Sequence, residues 1–224
     1  MIITDYQNPE YPNARVIDDF LTPEENKRII KGIKALPELT WELHNSHNDK
    51  LDEHNKMIWN SMSIKYDEHY NTTDMQMISK RLVSSLNEKF NTPIRLSNSS
   101  ITRWRKGRSQ TPHIDFFHEE ENHDYEDMSK HGHSKESAIN FGKLFNNYHF
   151  SSILYLNGHD EFQGGDLFFP QFDNFTIEPK PGRLVMFIGD TKHFHGVTEV
   201  TSGIRYTVAS FYSDRNRRRK NIMI

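Results

Sequence analysis

The stretch HFHGVTEVTSGIRYTVASFY, residues 193–212, opens on two histidines and closes in a run of β-branched and aromatic residues. His193 and His195 stand two apart, Gly196 and Val197 follow, and Ser202-Gly203 signals a turn. From Arg205 to the end of the stretch the composition is that of a strand. Working backward, similar short segments recur at 183–188, 175–177, 166–169 and 152–156, with 196–200 inside the stretch itself. Gly158, Gly164-Gly165, residues 179–182 and Gly189-Asp190 separate them. Many short strands punctuated by glycine and proline predict a β-sandwich or barrel.

Further upstream, residues 94–104 read as another strand, and Lys106-Gly107-Arg108 turns the chain toward His113-Ile114-Asp115. Pro112 biases Thr111 toward an extended backbone. On such a backbone His113 and Asp115, two apart, project to one face. Two imidazoles and one carboxylate, with nothing else from protein, leave three cis positions open on a metal, the arrangement used by non-heme Fe(II) oxygenases. In a chain with 13 histidines a lone His-x-Asp carries little weight, and His193 and His195 compete for the third ligand. The weight comes from the order of the pieces. His-x-Asp is followed by Tyr155-Leu156-Asn157, then Gly164-Gly165-Asp166-Leu167-Phe168-Phe169-Pro170, then Pro181-Gly182-Arg183-Leu184-Val185-Met186-Phe187, and finally a histidine ten residues before Arg205.

In that order the chain resembles the Fe(II)/2-oxoglutarate dioxygenase superfamily and, within it, the prolyl 4-hydroxylase branch, over residues 16–212. The resemblance implies a mainly β, α+β fold, a double-stranded β-helix (jelly-roll) barrel with flanking helices. It implies His113, Asp115 and His195 as metal ligands, because His195 and not His193 fits His-Gly-x-x-x-Val-x-x-Gly-x-Arg. It implies that Arg205 holds the 5-carboxylate of 2-oxoglutarate, a task suited to a bidentate guanidinium. Tyr155 is then a second donor to that carboxylate, and Trp104 and Val197 complete the cofactor pocket. Fe(2+), 2-oxoglutarate and O2 are the implied cofactors, with ascorbate as an optional addition. The implied reaction converts 2-oxoglutarate to succinate and CO2 and hydroxylates an unactivated C–H, with a proline-containing peptide or protein as the expected partner. Trp104 departs from the family, which usually has tyrosine nine residues before the first histidine; indole donates one hydrogen bond and accepts none. Dioxygenases that demethylate bases carry a further arginine six residues after the first, where this chain has Phe211.

The remaining sequence is expected to support that core within one domain over 1–224: supporting elements in 1–93, a jelly-roll core in 94–213, and a basic tail in 214–224. Residues 14–20 read as the first strand. Thr22 with Pro23 and Glu25 predicts a capped helix, with Ile29, Ile30 and Ile33 on its buried face and Pro37 ending it. Residues 44–56 read as a loop and 58–66 as a strand. Met75, Ile78, Leu82, Leu86 and Phe90 mark a second helix over 73–90 that packs on the sheet. Residues 116–149 read as a polar insertion, a lid or partner-binding loop with one short helix near 137–145. Its His118, His123, His131 and His133 are expected to be solvated rather than a second metal site.

Fifteen Phe, nine Tyr and three Trp supply core material despite 34% hydrophobic content, so a folded chain is expected. The net charge of -3 argues against a general nucleic-acid surface, and the basic run at 215–220 reads as a solvated tail. With no cysteine, disulfides and thiolate ligands are excluded. No secretory leader or membrane span is recognised, so a cytoplasmic location is expected; the oligomeric state is left open.

Overall fold

The computed structural model describes residues 1–6, 10–36, 42–43, 61–65, 72–115, 149–190 and 192–215. In chain order the elements are β1 (Ile2–Tyr6), β2 (Ala14–Asp18), α1 (Pro23–Lys34), β3 (Glu42–Leu43), β4 (Ser61–Lys65), α2 (Thr72–Phe90), β5 (Ile94–Arg105) and β6 (Gln110–His113). After the insertion come β7 (Phe150–Tyr155), β8 (Phe162–Gly164), β9 (Leu167–Phe169), β10 (Phe175–Ile177), β11 (Leu184–Ile188), β12 (His195–Val197) and β13 (Val200–Asp214). The major sheet runs β1-β2-β11-β7-β13-β5-β4-β3, with β8 paired to β13, and the minor sheet runs β10-β9-β12-β6. The architecture is a mainly β jelly roll with two α-helices among the described residues.

Strand periodicity explains why the major sheet is covered on both faces. Along β11, Leu184 and Met186 join the cluster formed with Ile29, Ile33, Ile78 and Leu82 of the two helices. Their neighbours Val185 and Phe187 turn the other way and pack with Leu167 and Phe169 of β9 in the minor sheet. Successive side chains of a strand point to opposite faces, and with both faces covered the strand reads as an unbroken apolar run. Each fully buried Leu or Phe contributes about 1.5–3 kcal/mol relative to exposure.

Helix α1 begins as its sequence predicts. Thr22 accepts from the Glu25 amide and Glu25 accepts from the Thr22 amide, a reciprocal capping box with Pro23 in the first turn. The helix ends at Lys34 with Ala35 as C-cap, ahead of Pro37, which lies outside the described residues. Met75, Ile78, Leu82 and Leu86 of α2 are all buried.

Three expectations are corrected. The first strand is β1, ahead of the one expected, and its polar Thr4 and Asp5 hide it from a hydrophobic-pattern reading. A short strand, β8, also forms where none is expected, through pairing with β13. Ser202-Gly203 is not a turn between strands; β13 runs through it, with a register irregularity between Val200 and Ser202. Gly203 has φ +72°, and a Cβ there would meet the Glu161 carbonyl oxygen at 2.3 Å, so the glycine marks a close approach of the β8 backbone rather than a chain reversal. The loop at 44–56, all of the insertion except its last residue, His149, and the tail beyond Arg215 lie outside the described residues.

Candidate metal and cosubstrate site

The two sheets meet at the histidines. Strands β12 and β6 are antiparallel neighbours in which His195 and His113 are direct register partners, and their rings lie 4.5 Å apart between centroids. Two residues past β6 the chain reaches the end of β11 in the major sheet, where the Asp115 amide donates to the Gly189 carbonyl at 2.7 Å. Asp115 thereby comes within 3.6 Å of His113 Nε2 and 3.2 Å of His195 Nε2. One potential ligand atom from each of the three lies within 4.8 Å of the others, the only such group among the described residues.

Backbone contacts set the tautomers. His113 Nδ1 is 2.9 Å from the Thr111 carbonyl and His195 Nδ1 is 3.1 Å from the His193 carbonyl. A carbonyl only accepts, so each Nδ1 carries a proton, and Nε2 is the ring atom that faces Asp115 and would bind a metal. Burial pushes the Asp115 carboxyl up, but the His195 and His113 imidazoles and the Ser151 hydroxyl outweigh it, and its pKa lies below the ordinary value. Ser151 Oγ donates to Asp115 Oδ2. A Cβ on Gly189 would sit 2.8 Å from Asp115 Cβ and 2.9 Å from Oδ2, so glycine there lets the carboxylate lie against the backbone. His193 is engaged elsewhere: its Nδ1 is 2.5 Å from Asp190 Oδ1, and its ring stacks near Phe172.

The second group follows from the register of β5, β13 and β7. Trp104 is directly opposite Arg205, and Thr207, two residues on, is directly opposite Tyr155. Cross-strand partners share a face, so Arg205, Trp104 and Tyr155 gather on the side of the major sheet that faces the minor sheet. The Arg205 guanidinium carbon lies 4.9 Å from the Trp104 ring and 5.2 Å from the Tyr155 ring. Arg205 Nε donates to the Gly165 carbonyl at 3.0 Å and Nη1 reaches Thr207 Oγ1 at 3.4 Å. Arg205 Nη2, Tyr155 Oη and Trp104 Nε1 are buried without a hydrogen-bond partner. Desolvation lowers the Arg205 pKa. It raises that of Tyr155, against the opposing pull of the nearby guanidinium. Tyr155 and Arg205 thus feel each other electrostatically without completing a hydrogen bond of ordinary geometry. Val197 packs with Trp104, Phe162 and Val200 beside them.

This arrangement fits the groups the sequence implies. Two neutral imidazoles and a carboxylate are the donor set of a divalent iron site with open positions. A buried cation with unpartnered donors around it lacks only an acceptor-rich anion, such as a carboxylate. The structure brings together all seven residues singled out from the sequence, in two adjoining groups. Sequence reasoning missed Ser151, Gly189 and Arg108, the last fully buried with its guanidinium 5.0 Å from the Trp104 ring. It treated Tyr155-Leu156-Asn157 as a marker without a job for Asn157, whose side chain bonds the Ile204 carbonyl and the Tyr206 amide. That pins the end of β7 to β13 on both sides of Arg205.

Comparison with known proteins bears on the same residues. The family model described as the 2OG-Fe(II) oxygenase superfamily matches residues 99–213. Over 68 residues, 29% of this chain, the sequence is 43% identical to prolyl 3-hydroxylase 3 of Homo sapiens and 40% identical to prolyl 3-hydroxylase 1 of Rattus norvegicus. The matched segment spans 9% of the length of each of those relatives. Among solved structures, a Pseudomonas putida prolyl-4-hydroxylase superposes with a TM-score of 0.59 at 15% identity, covering 91% of this chain and 94% of that one. A prolyl hydroxylase from Trichoplax adhaerens, solved with a hypoxia inducible factor peptide, gives 0.57 at 17% identity, covering 90% and 83%. At those identities the likeness is one of fold.

Proposed function

This chain belongs to the 2OG-Fe(II) oxygenase superfamily, and we propose that it is a 2-oxoglutarate-dependent dioxygenase that hydroxylates an unactivated C–H of a prolyl residue in a peptide or protein. The observation that carries the substrate class is the 43% identity over 68 residues to a prolyl 3-hydroxylase. Prolyl hydroxylases among the fold neighbours support it. The ring carbon attacked is not part of the reading, since relatives of both 3- and 4-hydroxylase type resemble the chain.

In this reading His113, Asp115 and His195 hold Fe(II), and Arg205 with Tyr155 holds the distal carboxylate of 2-oxoglutarate. The bound metal, cosubstrate and O2 would supply the oxidation, with 2-oxoglutarate leaving as succinate and CO2. The chain's own contribution is positional and electrostatic. Thr111 and His193 hold the two imidazoles by their Nδ1 protons, so each offers a lone pair without rotating. Ser151 fixes the Asp115 carboxylate, and Asp115 supplies one of the two negative charges that a divalent ion calls for. The Arg205 guanidinium, already desolvated and tied to Gly165, meets an incoming carboxylate without reorganising. No side-chain proton transfer is needed from these groups.

The test is turnover of 2-oxoglutarate by the Fe(II)-loaded chain, with and without ascorbate, against a panel of proline-containing peptides. Succinate formation coupled to a gain of one oxygen on a proline supports the proposal. Oxygen gained on another residue, or on no peptide while a small metabolite is consumed, overturns the substrate class.

A further inference from the structure

The cosubstrate cradle contains more than an arginine and a tyrosine. Trp104 is 6% exposed, and its Nε1, like Arg205 Nη2 and Tyr155 Oη, has no hydrogen-bond partner. Indole and guanidinium nitrogens only donate, and the phenol can donate as well. A guanidinium with an unpartnered nitrogen, flanked by two rings that each carry another unpartnered donor, therefore calls for a ligand with several acceptor lone pairs and no proton of its own to place there. An ionised carboxylate offers about four.

The indole is itself held. Arg108, 1% exposed, puts its guanidinium carbon 5.0 Å from the Trp104 ring centroid, and Arg205 approaches the same centroid at 4.9 Å. Arg108 Nη2 also donates to Gln110 Oε1 at 3.3 Å. The Arg108 carbonyl accepts from the Val200 amide at 2.8 Å, which fixes the turn between β5 and β6 against the start of β13. Val197 and Phe162 pack against the rest of the indole. A guanidinium on an aromatic face is an attractive, orienting contact, strengthened by desolvation. Two of them on one ring leave it little freedom to turn its N–H.

We propose that Trp104 is a cosubstrate-binding residue whose Nε1–H is the third donor to the distal carboxylate of 2-oxoglutarate, and that Arg108 is the positioning residue that holds the indole for that task. The proposal rests on the reading above, in which this pocket takes 2-oxoglutarate. It gives the tryptophan that stands in place of the family's tyrosine a function of its own. With tryptophan there, no hydroxyl at that position can serve as an acceptor, so the cradle is set for an anion.

The experiment is calorimetric titration of 2-oxoglutarate, without oxygen, into the full chain loaded with Fe(II). Trp104→Phe keeps an aromatic ring and removes the donor; its Kd for 2-oxoglutarate should rise roughly ten- to a hundredfold, the range for a hydrogen bond to a charged group, with Fe(II) affinity unchanged. Trp104→Tyr restores a donor at the ring edge and should recover part of the loss. Arg108→Met should weaken binding in the wild-type background and add nothing on top of Trp104→Phe, because it acts through the indole. If Arg108→Met does not fold, Arg108→Lys, which keeps the charge but loses the planar stack, should give the same pattern. An unchanged Kd in Trp104→Phe, or equal losses in the Phe and Tyr variants, overturns the donor role. An equal Arg108 effect in both backgrounds overturns the positioning role. Arg205→Ala separates the levels: if it too leaves the Kd unchanged, the 2-oxoglutarate reading itself has failed.

Discussion

Gly189 and Ser151 decide where the Asp115 carboxylate can lie. A methyl group at 189 would sit within 2.9 Å of Oδ2, closer than van der Waals contact allows, and the nearest atoms it meets all belong to the Asp115 side chain. Gly189→Ala is expected to displace Asp115 and lower Fe(II) affinity by at least tenfold, the smaller end of the 10–100-fold seen when a metal ligand loses its support. A metal titration on folded protein checks it; an unchanged affinity would mean that Asp115 is not a ligand or is not held there. His193→Ala, by contrast, should leave Fe(II) affinity close to wild type, since His193 is engaged with Asp190 and touches the centre only through its main-chain carbonyl. At this scale the sequence carried the chemistry but not its supports. His113, Asp115, His195 and Arg205 are visible because their side-chain types and order reflect what we propose they bind. Ser151, Gly189 and Arg108 act through neighbours 36, 74 and 4 residues away in sequence. The first two distances arise only when β6, β7 and β11 converge, and Arg108 looked like an ordinary turn residue because nothing local announces its burial.

Elements were legible where local rules suffice. Thr22, Pro23 and Glu25 formed the capping box they spell. Thr22→Ala should lower stability by about 0.5–2 kcal/mol, measured by denaturant unfolding. The reading went astray where tertiary pairing overrides a local signal. Ser202-Gly203 has the composition of a turn, yet β8 pairs with it and keeps it inside a 15-residue strand, just after a register irregularity between Val200 and Ser202. Strand β2 is tied to the start of β11 by Arg183, which grips Asp18 at 2.5 and 3.0 Å. The Arg183 hydrogen bond holds the Asp18 pKa below its ordinary value, against the opposing effect of burial. A carboxylate with a depressed folded-state pKa stabilises the fold above its unfolded pKa, and that contribution disappears as pH falls through the folded value. Stability should therefore fall below about pH 4, and Asp18→Asn should be less stable than wild type at pH 7 while losing less on acidification. Parallel pH profiles for the two proteins would refute the coupling.

Over the whole molecule, a sheet buried on both faces sets two demands, and the site sits where they meet. Helices α1 and α2 cover one face, while the minor sheet covers the other and carries His113 and His195. Phe187, 1% exposed, packs edge-on to both Phe169 and the His195 ring, so the core between the sheets also positions a proposed metal ligand. The seam between those sheets is therefore where metal and cosubstrate affinity can be separated. Losing one partner of a desolvated ion pair costs about 3–5 kcal/mol, so Arg205→Ala should weaken 2-oxoglutarate binding by orders of magnitude and leave Fe(II) in place. Tyr155→Phe, removing one hydrogen bond to a charged group worth about 1.5–3 kcal/mol, should give a smaller loss of the same kind. The most direct measurement is an anaerobic titration of 2-oxoglutarate into Fe(II)-loaded wild-type, Asp115→Ala and Arg205→Ala chains, followed by the visible absorption that appears when a 2-oxo acid chelates Fe(II). The account predicts saturable absorption in the wild type, none in Asp115→Ala, and in Arg205→Ala the same absorption only at far higher 2-oxoglutarate. Saturation of Arg205→Ala at the wild-type concentration would contradict it.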